Sequence, residues 1–199
     1  MANICVTGIW HQGAVVSACL ADLGHRVRGV CDEQTALGLN AGKPPVYEPI
    51  LPEIIQENVK AGRLSYSSDF QEGLKEAEFV FICTDTPVDM QDESDLSSIY
   101  ALAENIGSNL SQDIVLCITA QVPVGTCEDL AKKASSLAPA YKGKVAYIPE
   151  FLRLGNAVET FREADRVVIG CDDASIAEKI ADLYRPLDRP LVYTGIRSA

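Results

Sequence analysis

Short β-rich runs alternate along this chain with stretches of helical periodicity, and that alternation leaves few folds open. Ile4-Cys5-Val6-Thr7 is a continuous apolar run closed by Gly8, the pattern of a strand buried on both faces. Val16, Cys19, Leu20 and Leu23 then recur at i, i+3, i+4 and i+7, one face of a helix, with Gly24 where a C-terminal cap belongs. Val27 to Cys31 reads as a second strand ending at Asp32, and residues 33–42 read as a helix. Pro44, Pro45, Pro49 and Pro52 punctuate a turn before a helix that runs to Lys60 and is closed by Gly62. Leu64-Ser65-Tyr66 suits a short strand. Phe79-Val80-Phe81-Ile82-Cys83 is the clearest buried strand, and a polar loop over 84–94 follows it. Leu96, Ile99, Tyr100, Ala103 and Leu110 mark an amphipathic helix with Asp95 as its N-cap. Further strands are expected at Ile114 to Thr119, Val145 to Ile148, Val167 to Ile169 and Leu191 to Tyr193, with helices ending near Leu137 and covering 174–184.

Strands that alternate with helices require crossover connections, and right-handed crossovers wind a sheet in both directions from its centre. The expected class is therefore α/β, a Rossmann-type doubly wound, mainly parallel sheet with helices on both faces. At 199 residues the chain is expected to form one domain over 1–199, large enough for a substantial core.

The formal net charge of −11 argues against a nucleic-acid partner, because an acidic surface repels phosphate backbones. It leaves phosphorylated small molecules open, since backbone N–H groups at helix starts hold phosphate whatever the global charge. No apolar run reaches the ~18 residues that a membrane helix requires, and Met1 to Val6 has neither a basic nor an extended apolar leader segment. Cys5, Cys19, Cys31, Cys83, Cys117, Cys127 and Cys171 are odd in number, widely spread and without a C-x-x-C pair. They are expected to be buried small hydrophobes in a reducing cytoplasm. With only two histidines and no ligand cluster beside them, no metal site is expected.

Gly8-Ile9-Trp10-His11-Gln12-Gly13 joins the first strand to the first helix, where a dinucleotide-binding turn would read G-x-G-x-x-G. The first glycine makes the tight turn and the third lets helix and strand pack closely. The second normally admits the pyrophosphate to the backbone, and here that place is taken by Trp10. Asp32 lies 19 positions after Gly13, at the end of the second strand, near the spacing of about 20 expected for a carboxylate that accepts from the adenine ribose. Such a carboxylate repels a 2′-phosphate, so NAD is expected rather than NADP. Trp10 and His11 admit two readings. Either the indole shields the pyrophosphate and the imidazole donates to it, or the indole turns away and the imidazole is solvated; the second is preferred on the pattern.

Three more segments follow strands, at the sheet edge where ligands of open α/β folds bind. These are Thr84-Asp85-Thr86-Pro87, Gln121-Val122-Pro123-Val124-Gly125 and Ile148-Pro149-Glu150-Phe151-Leu152-Arg153. From the pattern alone, Glu150 is equally a structural residue or a general base.

Taken together and in order, these segments resemble the UDP-glucose/GDP-mannose dehydrogenase family. Ala18 to His25 resembles the end of its first helix, Pro45-Val46-Tyr47-Glu48-Pro49 its P-I-Y-E-P, and Gly62-Arg63-Leu64 its G-R-L. Thr84 to Pro87 is similar to its V-P-T-P loop, Asp95-Leu96-Ser97 to its D-L-S, and Val122 to Thr126 to its V-P-V-G-T. Pro149 to Arg153 is similar to P-E-F-L-R, and Asp165 to Gly170 to D-R-x-V-I-G. The resemblance implies an enzyme that oxidises the C6 hydroxyl of a sugar nucleotide to a carboxylate with two NAD in succession, through a cysteine-bound thiohemiacetal and thioester. It implies that Gly8, Ile9, Trp10, His11, Gln12, Gly13, Asp32, Thr84, Thr86, Pro87, Ala120 and Gln121 bind NAD. Glu150 would sit at the reacting centre, and Phe151, Leu152, Arg153, Leu154 and Gly155 would help hold the sugar nucleotide. The family's central helix, catalytic lysine and cysteine, and sugar-nucleotide domain are expected beyond residue 199, and full-length relatives are expected to dimerise through that helix.

Three positions depart from the family pattern. Trp10 stands for a glycine, Gln121 for the threonine thought to orient a catalytic water, and Leu154 for a second carboxylate. They leave an alternative open, a degenerate homologue that binds nucleotide without catalysis.

Overall fold

The computed structural model describes residues 1–88, 90–91, 93–110 and 113–199. Asp89 and Asp92 of the 84–94 loop lie outside the described residues. The chain runs β1 (Asn3–Thr7), α1 (His11–Asp22), β2 (Arg26–Val30), α2 (Glu33–Asn40), α3 (Leu51–Lys60), β3 (Leu64–Ser67), α4 (Phe70–Leu74) and β4 (Phe79–Ile82). It continues through α5 (Ser97–Asn109), β5 (Val115–Ile118), α6 (Thr126–Leu137), β6 (Val145–Tyr147), α7 (Ala157–Arg162), β7 (Val167–Gly170), α8 (Ala174–Tyr184) and β8 (Leu191–Thr194).

One sheet results, in the order β3-β2-β1-β4-β5-β6-β7-β8. The first six strands, β3 through β6 in that order, are mutually parallel, with β1 in the middle facing Val6 to Gly29 on one side and to Phe81 on the other. β1 is buried from Ile4 onward and β4 and β5 throughout, because helices cover both faces and no side of these strands meets water. Ile4, Val6, Phe79 and Phe81 point into one cluster with the apolar faces of α1, α3, α7 and α8. Cys5, Val80 and Ile82 point into the other, with α5 and α6. This is the doubly wound arrangement expected from the alternation of elements.

Asp32, Asp69 and Asp173 cap α2, α4 and α8, accepting from backbone amides of Thr35, Gln71 and Ser175 at 2.8–2.9 Å and satisfying donors that have no intrahelical partner. Asp95, expected as the N-cap of α5, stands one residue before it: Leu96 is the N-cap, and Asp95 accepts from Ser97 N at 2.9 Å. The helix expected over 33–42 stops at Asn40, where Gly42 takes a φ of +74° and turns the chain. Two short helices, α4 and α7, are not legible as periodic stretches, since five and six residues hold too few turns to show a period. The segment containing α7 leaves and re-enters the sheet at the same edge, so β7 runs antiparallel to β6 while α8 returns β8 parallel to β7.

The sheet ends at β3, whose outer backbone would otherwise be a bare edge. Asn40 covers part of it like a fragment of one more strand: its Nδ2 donates to Tyr66 O at 2.8 Å and its Oδ1 accepts from Tyr66 N at 3.0 Å. Asn40→Ala removes both bonds and strands two backbone groups, so a loss of about 1–3 kcal/mol is expected. Urea denaturation followed by circular dichroism measures it, and an unchanged midpoint would show that the edge needs no cover.

Candidate functional site

The C-terminal ends of β1, β4, β5 and β6 open on one edge of the sheet, and four loops meet there. Gly8 leaves β1 with φ +74°, and a Cβ on it would lie 2.5 Å from Thr84 N and 2.7 Å from the Cys83 carbonyl carbon. Only a residue without a side chain lets this turn touch the loop after β4. A Cβ on Gly13 would lie 2.4 Å from Gly8 O, so the first turn of α1 also packs directly on the strand end. α1 starts at His11 with no side-chain cap. Its leading amides are the kind of donors that hold phosphate at helix starts.

Beside this turn lies a cleft of about 300 Å³ lined by His11, Gln12, Thr84, Asp85, Thr86, Pro87, Gln121, Glu150 and Leu152. Residues from all four loops therefore share one space. Gln12 Nε2 donates to Thr119 O at 3.1 Å, and the Thr86 hydroxyl donates to Gln121 O, tying the loops to one another. Thr84 Oγ1 is buried and has no hydrogen-bond partner among the described residues. A buried hydroxyl without a partner marks a place where a ligand or an ordered water completes the structure.

Glu150 receives no hydrogen bond or ion pair from the described residues. Burial pushes its carboxyl from the ordinary 4.5 up to about 8, because a charge there would lose its hydration and gain nothing in return. A group of this kind passes a proton readily near neutral pH.

The other expected residues divide. Trp10 is 54% exposed and does not line the cleft, so the indole turns away and leaves the crevice free. His11 is not solvated. Its side chain is only 18% exposed, and its Nε2 is 2.6 Å from Glu48 Oε1. The side chains of Ile9 and Ala120 are buried in the core, and the Ala120 amide donates to Ile82 O at 3.2 Å, so any contact of theirs with a ligand would be through the rest of the backbone. Asp32 is exposed at the tip of β2, where its Oδ1 caps α2 and the hydrogen bonds of Thr35 hold its carboxyl below the usual range. Of the five residues expected at the sugar, only Leu152 faces the common cleft. Phe151 and Arg153 line a separate cleft of about 430 Å³ with Asn156, Glu163 and Arg166, and the Arg166 guanidinium stands 5.9 Å from the Phe151 ring centroid. Leu154 is 73% exposed, and Gly155 turns the chain with φ +85°.

Glu48 is the residue that sequence reasoning missed. It is 0% exposed, and its Oε1 accepts from Gly155 N at 2.6 Å as well as from His11, while Oε2 accepts from Ala157 N at 3.1 Å. Burial works to raise its pKa, but the two amides and His11 together outweigh it and hold the carboxyl below its ordinary value. In the sequence Glu48 stood only within the Pro45-Val46-Tyr47-Glu48-Pro49 segment, with no role of its own assigned to it.

The model of the UDP-glucose/GDP-mannose dehydrogenase family, NAD binding domain, matches residues 2–188. The chain belongs to this family. It is 38% identical over 193 residues to a UDP-glucose 6-dehydrogenase of Pseudomonas aeruginosa, covering 94% of this chain and 42% of that protein. A UDP-glucose 6-dehydrogenase of Rhizobium meliloti is 37% identical over 206 residues, with 99% and 47% covered. The fold superposes with a TM-score of 0.93 on a UDP-glucose dehydrogenase from Pyrobaculum islandicum, at 33% identity, covering all of this chain and 47% of the other. A GDP-mannose dehydrogenase from Pseudomonas aeruginosa, solved as a ternary complex, gives 0.92 at 27% identity, again with 100% and 47% covered. The chain thus spans somewhat under half the length of these relatives, over the NAD-binding part.

The raised pKa of Glu150 has a thermodynamic signature. The folded state holds this proton more tightly than the unfolded chain does, so the stability it contributes is full below about 4.5 and is lost as pH rises toward about 8. Urea denaturation across that window is expected to show stability falling with pH more steeply, or rising less, in the wild type than in Glu150→Gln, with His25, whose pKa burial lowers, acting the opposite way in both. Equal slopes in the two proteins would exclude a buried, protonated Glu150.

Proposed function

We propose that this chain binds NAD along the C-terminal edge of its sheet and, within a longer protein, serves a dehydrogenase acting on a sugar nucleotide. The observation that carries the reading is the Gly8–Gly13 turn, whose glycines meet the β4 loop and the strand end without room for a Cβ, beside a cleft that Thr84 lines, with its hydroxyl buried and unpartnered behind the wall. The residues fit the cofactor. The uncapped start of α1 would receive the pyrophosphate, and Asp32, with one carboxylate oxygen on the α2 cap, would accept from the adenine ribose with the other. Thr84, Thr86, Pro87 and Gln121 would line the nicotinamide end. When bound, NAD supplies the hydride acceptor.

The chain's own part in the chemistry falls to Glu150. At neutral pH its buried carboxyl is mostly protonated, and it exchanges a proton with a group in the cleft at little cost. Gln121 takes the threonine's place with an amide that can both donate and accept, so it retains the means to hold a water. Leu152 brings an apolar wall to the same cleft, against which a sugar ring can pack. In the whole protein, the reading is oxidation of a sugar C6 hydroxyl to a carboxylate with two NAD. The lysine and cysteine for that chemistry, and the dimer contact, would come from outside these residues. The seven free cysteines suit a reducing, cytoplasmic setting, and no helix among the described residues is long and apolar enough to cross a membrane.

A second reading has its own observation. Leu154, which replaces the family's second carboxylate, is largely exposed and brings no acid to the cleft, as a nucleotide-binding homologue without catalysis would allow. Both readings share NAD. Calorimetric titration of this chain is expected to show NAD binding and at least tenfold weaker binding of NADP, whose 2′-phosphate would face the Asp32 carboxylate. Binding of neither dinucleotide, or a preference for NADP, would overturn the assignment.

A further inference from the structure

We infer that Glu48 is a positioning residue of the dinucleotide site, holding the His11 imidazole in one orientation and tautomer and locking the Gly155–Ala157 backbone to the glycine turn. The inference rests on the reading of that turn as the NAD site. Glu48 itself lines none of the clefts at this edge, so its influence on a ligand passes through the groups it holds.

The geometry carries the argument. A single side chain with no exposed surface accepts three hydrogen bonds, from His11 Nε2 at 2.6 Å, Gly155 N at 2.6 Å and Ala157 N at 3.1 Å. His11 opens α1 immediately after the turn at Gly8 to Trp10. Gly155 ends the segment that begins at Glu150, and Ala157 opens α7. One carboxylate thus joins pieces of chain 37 and 107 residues from it, the first carrying His11 of the cleft and the second following three residues after Leu152 of the same cleft. No other ion pair among the described residues has a partner so fully withdrawn from water. Breaking a buried, fully partnered carboxylate of this kind costs far more than breaking a surface pair.

The chemistry of the acceptor also decides the state of the ring. An ionised carboxylate accepts and does not donate, so the hydrogen between Glu48 and His11 belongs to His11 Nε2. In the neutral imidazole Nδ1 is then a bare acceptor. His11 can therefore accept from a ligand's hydroxyl or amide at Nδ1. Without Glu48 the ring would be free to exchange tautomers and rotate, and the start of α7 would lose the anchor of two backbone amides.

The test uses the 199-residue chain and its own two histidines. In long-range ¹⁵N–¹H spectra, His25 serves as an internal reference, since its Nδ1 accepts from Ala2 N and its Nε2 faces Leu183 O. His11 is expected as a single Nε2–H tautomer, and as a mixture in Glu48→Gln; a His11 signal unchanged by the substitution overturns the inference. NAD titrations of the wild type, Glu48→Gln, His11→Ala and the double variant complete a cycle. Each single change is expected to weaken binding about tenfold, and the double variant to bind no more weakly than either, because both act through one contact. Additive losses, or no loss in Glu48→Gln, overturn it. Should Glu48→Gln fail to fold, His11→Gln takes its place, with an amide that can still donate to Glu48. Affinity kept in His11→Gln and lost in His11→Ala supports the positioning role, while equal loss in both overturns it. If the wild type binds no NAD at all, the cofactor reading fails by itself, and the tautomer spectra still decide whether Glu48 sets the ring.

Discussion

The approach of the backbone at Gly8 to the backbone at Thr84 is the contact on which the functional edge of this domain depends. β1 and β4 are neighbours in the sheet, and the chain must leave both at the same end without its loops colliding. A positive φ at Gly8, in a position where any Cβ would overlap Thr84, solves that problem. Gly13 repeats the solution one step later by letting α1 pack against Gly8 itself. With the two loops in contact, the start of α1 and Thr84 come to border one cleft, and the loops after β5 and β6 close it from the other side.

Three carboxylates near this edge show how surroundings, rather than residue type, set chemistry. Asp32 is exposed and held ionised by the amide it caps. Glu48 is withdrawn from water yet also held ionised, since three donors more than replace the hydration it loses. Glu150 has burial without donors, and so it keeps its proton to about pH 8. The first state suits a ribose acceptor, the second a structural clip and the third a proton carrier. Local surroundings govern each of them: hydrogen-bond donors for Asp32 and Glu48, and burial alone for Glu150.

The fold was largely legible from residue order. Apolar runs such as Ile4–Thr7 and Phe79–Ile82, and the glycines after β1 and α1, are local signals, and each stands where it was expected. So was the gathering of Gln12, Thr84, Thr86, Pro87, Gln121 and Glu150 at one edge, because parallel strands joined by crossovers put all their C-terminal ends on the same side. The short helices α4 and α7, the antiparallel entry of β7 and the separate cleft beside Phe151 and Arg153 were not, since each depends on contacts between distant segments.

From the sequence alone came the class of fold, the edge proposed for ligands, and the family, since strand hydrophobicity, turn glycines and motif order are properties of neighbouring residues. Which side chains face that edge was decided by tertiary packing. The exposure of Trp10, the burial of Ile9 and Ala120, and the pairing of His11 with Glu48 follow from how four loops and two helix starts press together. A hydrogen bond across 37 residues leaves no periodic trace in the chain, because its partners become neighbours only when the sheet has brought their loops to one end.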